Sequence, residues 1–265
     1  MKNFQEKYGE YAVVLGAADG LGKSMCERLA SKGLNIICVD YNQEKMNEFE
    51  NEFAKKFPGR KMITIHSDLT DPQATEKIFE ITDKENVGFM SYVACLHQFG
   101  KLQDTSWEAH QRMLNLNVVN FLKCMHHYMN IFVKQGHGGV INFSSLTGVT
   151  ASPYNAQYGA GKAYIKSVTQ AVGYEAEKDN VDVMVVTLGA TSTPTELLNQ
   201  PGGELGATIQ KNAMTPEDTV DEIFENFGKV HSYYVGDHPK AQVKKWKTEM
   251  TEDEVAAYMG RFYEV

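Results

Sequence analysis

Ser145, Tyr158 and Lys162 carry the groups that could work together on an alcohol proton. Tyr158 and Lys162 are four apart in a run of helical period, 155–178, so they project from one face about a turn apart. An ammonium beside a phenol stabilises the tyrosinate and draws the phenol pKa down from ~10 toward working pH, which makes the group a proton donor and acceptor. The spacing alone is common, because Tyr41 with Lys45 and Tyr174 with Lys178 repeat it. Thirteen positions before those tyrosines stand Arg28 and Gly161, whereas thirteen before Tyr158 stands Ser145, just past the strand-like run 140–143. The hydroxyl singles out one pair, and the trio suits ketone reduction or secondary-alcohol oxidation with a nicotinamide carrying the hydride. Asn117 is a further candidate, although Asn115 and Asn120 stand close by.

Such a trio needs a seat for the dinucleotide, and the first strand ends in one. Gly16, Gly20 and Gly22 follow the run 11–15 in GxxxGxG order, with Asp19 and Leu21 between them and a helix beginning near Leu21. Glycine allows the tight turn and brings backbone N–H groups close to an anion at a helix N-terminus. Residues 17–24 also come near the GxxxxGK[ST] loop of nucleotide triphosphatases, but Ala17 stands where that loop opens with glycine. Asp40 closes the second strand, 24 residues after Gly16, where a carboxylate accepts the ribose hydroxyls and repels a 2′-phosphate. Tyr41 follows it, no cation is evident where a 2′-phosphate would need one, and NAD is expected over NADP.

The elements that must hold these groups are legible as alternating patterns. Strand-like runs at 11–15, 35–39, 62–66, 89–93, 140–143, 183–188 and 232–235 alternate with amphipathic stretches, the pattern of βαβ units and a parallel sheet covered on both faces. With no repeat or linker in the 265 residues, one α/β domain over 1–240 is expected, followed by a C-terminal extension, 241–265, in which Thr251 and Glu254 read as a capping box. Val255, Tyr258, Met259 and Phe262 recur there at helical spacing, a stripe for an oligomer contact or a pocket wall. Segment 191–213 sets Leu197 and Leu198 beside a Pro-Gly-Gly turn and reads as a lid over a greasy ligand. The net charge of −8 and the lack of a Lys/Arg block argue against nucleic acid, and no apolar run approaches a membrane span. A cytoplasmic location is expected. Cys26, Cys38, Cys95 and Cys124 lack CxxC spacing and read as buried, reduced thiols, and neither HExxH nor GxSxG occurs, so no metal site or hydrolase elbow is expected.

Gly16–Gly22, Asp68-Leu69-Thr70, Asn117, Ser145, Tyr158 and Lys162 together resemble the short-chain dehydrogenases/reductases over about residues 10–240. The resemblance implies a Rossmann-like, doubly wound sheet of about seven strands. It makes Tyr158 the acid/base, Ser145 the holder of the substrate oxygen, Lys162 the ribose anchor and tuner of Tyr158, and Asn117 the positioner of a relay water. Asp68 would meet the adenine, with Leu69, Ala94, Gly189 and Thr191 around the cofactor and Thr193 on its carboxamide. Leu15, Val93-Ala94-Cys95-Leu96 and Leu188 depart from the usual Thr, Asn-Asn-Ala-Gly and Pro. More narrowly, residues 92–97, 117–119, 157–163 and 258–263 look like gut-bacterial hydroxysteroid dehydrogenases of the 7β and 20β types. The 7β bile-acid type implies a Gly-Arg-Arg stretch and NADP where Asp40 stands, so Asp40 turns the expectation to an NADH-dependent 20β enzyme on cortisol-like steroids. A 7β enzyme, another bulky-alcohol dehydrogenase, and a non-catalytic NAD-binding sensor are the other readings. Leu146 and Tyr154, with Leu197 and Leu198, are expected to line the steroid pocket, and a homo-oligomer, tetramer or dimer, is implied.

Overall fold

The structure, a computed structural model, describes residues 3–193 and 211–261. Leu197, Leu198 and Phe262, and with them most of the expected lid, lie outside the described residues.

Seven parallel strands form one sheet in the order β3-β2-β1-β4-β5-β6-β7. They are β1 (Tyr11–Leu15), β2 (Asn35–Asp40), β3 (Met62–His66), β4 (Val87–Tyr92), β5 (Gly138–Ser145), β6 (Val181–Leu188) and β7 (Ser232–Tyr234). The inner strands β1 and β4 are buried at every residue, as a strand covered on both faces requires. Side chains alternate between two cores. Ala12 and Val14 pack on one face with Met25 and Leu29 of α2 (Gly20–Ser31), Phe49 and Phe53 of α3 (Gln43–Lys56), and Ile223 of α8 (Pro216–Asn226). Val13 and Leu15 pack on the other with Ile78 of α4 (Ala74–Thr82), Phe121, Tyr128 and Phe132 of α6 (Phe121–Gln135), and Ile165 of α7 (Ala156–Glu175).

From β1 the chain runs outward through β2 and β3, then crosses back to place β4 on the other side of β1. The strand order therefore reverses between β1 and β4, and the carboxyl ends of a sheet at such a switch point open a crevice for a ligand. Caps on the local sequence start the helices that border it: Asp19 before α2, Asn42 before α3 and Ser106 before α5 (Trp107–Leu114). A π-turn, Asn115–Asn120, joins α5 to α6 and carries Asn117. Strands β5 and β6 extend beyond the expected runs because their parallel ladder stays in register from Gly138 with Val181 to Ser145 with Leu188. The expected 155–178 helix instead stops at Glu175 and tightens into a 3-10 turn, Ala176–Asp179, closed by Asn180 at φ +57°.

At the opposite end of the sheet, α1 (Phe4–Tyr8) begins with a capping box between Asn3 and Glu6. It lays Phe4 against Phe89 and Phe224, and the Tyr8 hydroxyl donates to Asp182 Oδ2 at 2.6 Å. After β7, α9 (Asp237–Glu249) and α10 (Glu252–Gly260) follow, the second opened by the Thr251–Glu254 capping box. Val243, Trp246, Val255 and Met259 bury together against Leu146, Val149 and Tyr234, so much of the expected apolar stripe packs on its own subunit. Among the described residues no helix is long and apolar enough to cross a membrane, and no cluster of side chains could hold a metal ion. Cys26, Cys38 and Cys124 are buried, but Cys95, expected to be buried too, is exposed because β4 ends at Tyr92 and leaves it on a loop.

Candidate active site

The glycine turn is built by backbone crowding. Gly16 sits at φ +81°, and a Cβ there would lie 2.6 Å from the Ala94 amide nitrogen. A Cβ on Gly22 would lie 1.8 Å from the Gly16 carbonyl oxygen, so α2 can approach β1 this closely only with glycine at its start. Leu15 O accepts from both Val93 N–H and Ala94 N–H at 2.9 and 2.8 Å, which lays the loop after β4 against the turn. Leu15 and the Val93–Leu96 stretch, both departures from the family pattern, thus still join through main-chain bonds.

Asp40 braces the turn from β2. Its Oδ2 accepts from Ala18 N–H and its Oδ1 from Asn42 N–H, each at 3.0 Å, which leaves lone pairs on both oxygens for a ligand hydroxyl. Asp19 caps α2 by accepting Gly20 N–H at 2.7 Å, and its other oxygen is paired with Lys45. That ammonium corrects the expectation of no cation near the ribose end. Helix α3 opens at Gln43, immediately after β2, so its first turn faces the turn after β1 and delivers Lys45 to the cleft. The hydrogen bond to Asp19 pushes the Lys45 ammonium pKa up. Lys23 and Ser24, the residues of the near-match to a triphosphatase loop, engage Glu52 and Glu217 and do not line the cleft.

A cleft of about 640 Å³ runs from this turn across the ends of β1, β4 and β5. Gly16, Asp19, Gly20, Leu21, Gly22, Asp40, Asp68, Leu69, Ala94, Gly189, Thr191 and Thr193 all line it, as do Ser145, Tyr158 and Lys162. Ser145 ends β5, where its Oγ accepts from Thr147 N–H at 3.3 Å. Lys162 is 4% exposed, donates to Phe143 O at 2.9 Å, and holds its ammonium 5.6 Å from the centre of the Tyr158 ring. Two glycines let α7 come this near. A Cβ on Gly159 would meet Thr147 O at 2.8 Å, and one on Gly161 would meet Asn117 Cβ at 3.3 Å.

Asn117 is buried and does not line the cleft. Its Oδ1 accepts from Leu96 N–H at 3.0 Å and its Nδ2 donates to Leu96 O at 2.6 Å, so the whole amide is engaged by one residue of the loop after β4. Among the described residues Leu146 and Tyr154 do not line the cleft either. Leu146 packs against the C-terminal helices, and Tyr154 sits at φ +60° with its carbonyl accepting from Gly100 N–H at 2.8 Å. Lys45 and His97 are cleft residues that sequence reasoning passed over. A helix opening directly after β2 was a signal for the first; nothing in the pattern marked the second.

A nicotinamide dinucleotide fits this donor set. Backbone N–H groups at the start of α2 face one end of the cleft, a carboxylate stands at the ribose position, and a hydroxyl, phenol and ammonium converge at the other end.

Comparison with known proteins agrees. The family model for short chain dehydrogenases matches residues 10–201. The chain is 51% identical over 260 residues to a 7beta-hydroxysteroid dehydrogenase of Mediterraneibacter gnavus, covering 98% of each. It is 50% identical over 261 residues to one of Collinsella aerofaciens, covering 98% of this chain and 99% of that protein. A solved structure of a 7beta-hydroxysteroid dehydrogenase superposes with a TM-score of 0.92 at 50% identity, over 97% of this chain and 99% of that one.

Proposed function

Because the chain belongs to the short-chain dehydrogenases, whose cofactor is a nicotinamide dinucleotide, we propose that it is a hydroxysteroid dehydrogenase interconverting a steroid ketone and its alcohol. The observation that carries the reading is the convergence of Ser145, Tyr158 and Lys162 on the cleft that begins at the glycine turn. When bound, the dinucleotide supplies or takes the hydride. Tyr158 donates the proton to the ketone oxygen in reduction and accepts it in oxidation. Ser145 holds that oxygen, and the Lys162 ammonium favours the tyrosinate that remains. Asn117 acts by fixing Leu96 and, through it, the loop along the cleft.

The carbon position is the finer question. Near-full-length relatives at about half identity act at the 7β position, so reduction at C7 of a 7-oxo bile acid stands ahead of the 20β reading that sequence analysis put first. The 20β reading retains one specific support, the Asp40 carboxylate braced at the ribose position, which favours NAD(H). We take NAD(H) as the cofactor on that ground, although Lys45 brings a positive charge close by. Titrating a 7-oxo bile acid and cortisol against NADH and NADPH decides both points: turnover of the bile acid with NADH supports the reading, and turnover of cortisol alone reverses it. Tyr158→Phe is expected to abolish turnover while NADH still binds; retained turnover would remove the role given to the phenol. Assembly as a dimer or tetramer is part of the proposal, and sedimentation as a monomer would refute it.

A further inference from the structure

His97 lines the cleft beside the reaction centre, yet no hydrogen bond joins its imidazole to any described residue. Its ring lies edge-to-face with Tyr158, centroids 5.5 Å apart at 82°, and tilts over Phe99 at 4.9 Å. The segment that carries it is held on both sides. Asn117 takes both backbone groups of Leu96, the residue before it, and Tyr154 O takes Gly100 N–H three residues after it. Tyr154 adopts a left-handed φ of +60° there, a conformation that is strained for a non-glycine residue and persists only where its surroundings enforce it. A half-buried imidazole presented on a clamped segment, with neither nitrogen bonded to a described residue, is placed to receive a partner. Burial, helped by the charge on Lys162, pushes its pKa down, so the ring is neutral and offers one N–H donor and one bare acceptor.

We propose that His97 holds a second oxygen of the substrate, a hydroxyl on a carbon next to the reacting carbonyl, and so selects among ketones. This rests on the steroid-ketone reading in its 20-ketone form, because a 7-oxo bile acid such as 7-oxolithocholate carries no hydroxyl beside its ketone. In that reading the hydroxyls of Tyr158 and Ser145 occupy the two lone pairs of the ketone oxygen, which leaves none for a third donor. The nearness of the His97 and Tyr158 rings confines the additional group to the immediate neighbourhood of that carbonyl. His97 is thus a specificity residue: it binds the substrate and moves no proton.

The test compares two steroids with the same 20-ketone, cortisol with hydroxyls on both neighbouring carbons and progesterone with neither, alongside 7-oxolithocholate. The native chain is expected to prefer cortisol by about tenfold or more in kcat/KM, since a polar group covered by the bound steroid and left unpaired costs ~1–3 kcal/mol. In His97→Phe, which keeps a ring against Phe99 and Tyr158, the ratio falls toward one; in His97→Gln, which restores a donor and an acceptor, part of it returns. NADH titration by fluorescence shows that each variant is folded. No preference in the native chain, a preference that survives His97→Phe, or no turnover of either 20-ketone overturns the proposal. Turnover of 7-oxolithocholate in those cases leaves the hydroxysteroid reading standing, whereas no turnover of all three steroids removes it.

Discussion

Asp40 and Lys45 show how two opposite charges can share one end of a cleft. Asp40 is fixed by Ala18 and Asn42 main-chain donors, and Lys45 is engaged by Asp19. Removing the carboxylate with Asp40→Ala takes away both braces and the ribose acceptor. Hydrogen bonds to a charged group are worth ~1.5–3 kcal/mol each, so NADH affinity is expected to fall by about tenfold or more. Asp19→Asn keeps the shape of the cap and weakens the hold on Lys45, and NADPH affinity is expected to rise relative to NADH; fluorescence titration of both dinucleotides measures it, and an unchanged ratio would show that Asp19 does not mask the cation. Tyr158 and Lys162 were readable because helical periodicity puts them on one face, and Ser145 because a hydroxyl stands thirteen positions before that tyrosine; the close approach of α7 rests on Gly159 and Gly161. Lys45 was signalled only by a helix opening directly after β2, and His97 was passed over because its place depends on how Asn117 and Tyr154 hold a loop, which residue spacing does not show.

Strands β1 and β3 were legible end to end, whereas β5 and β6 run longer than their apolar runs. Apolar content marks the buried centre of β5 and β6, but the ladder continues through Gly138, Gly139 and Ser145, whose side chains carry little hydrophobic signal. The glycine turn was legible as chemistry and also governs packing, since Gly22 meets the Gly16 carbonyl backbone to backbone. No side-chain adjustment can relieve that contact. Gly22→Ala is therefore expected to cost about 3 kcal/mol or more in urea unfolding and to abolish dinucleotide binding together with it. Normal stability in this variant would mean that α2 can retreat from β1, contrary to the packing described.

Across the whole molecule the C-terminal helices join the substrate side to the rear of the last strand. Trp246 is 5% exposed within a cluster that includes Leu146, Val149 and Tyr234. Trp246→Ala should cost about 3–5 kcal/mol and lower Tm. A chain ending at Lys240 should lose thermal stability and raise KM for the steroid more than it weakens NADH, because Leu146 follows Ser145 directly and the dinucleotide turn lies at the other end of the cleft. Equal effects on both ligands would place the role of this extension elsewhere. The amphipathic stripe revealed that such a helix exists, but its docking surface is a product of three-dimensional closure.

The short helix α1 leads to a different kind of consequence. Five residues cannot sustain a helix in water, so its persistence depends on Phe89, Asp182, Phe224 and Phe227, all of which lie far downstream. Asp182 follows Tyr8 by 174 residues, so during synthesis the anchorage of this helix, begun on Phe89, is completed only after that whole stretch has left the ribosome.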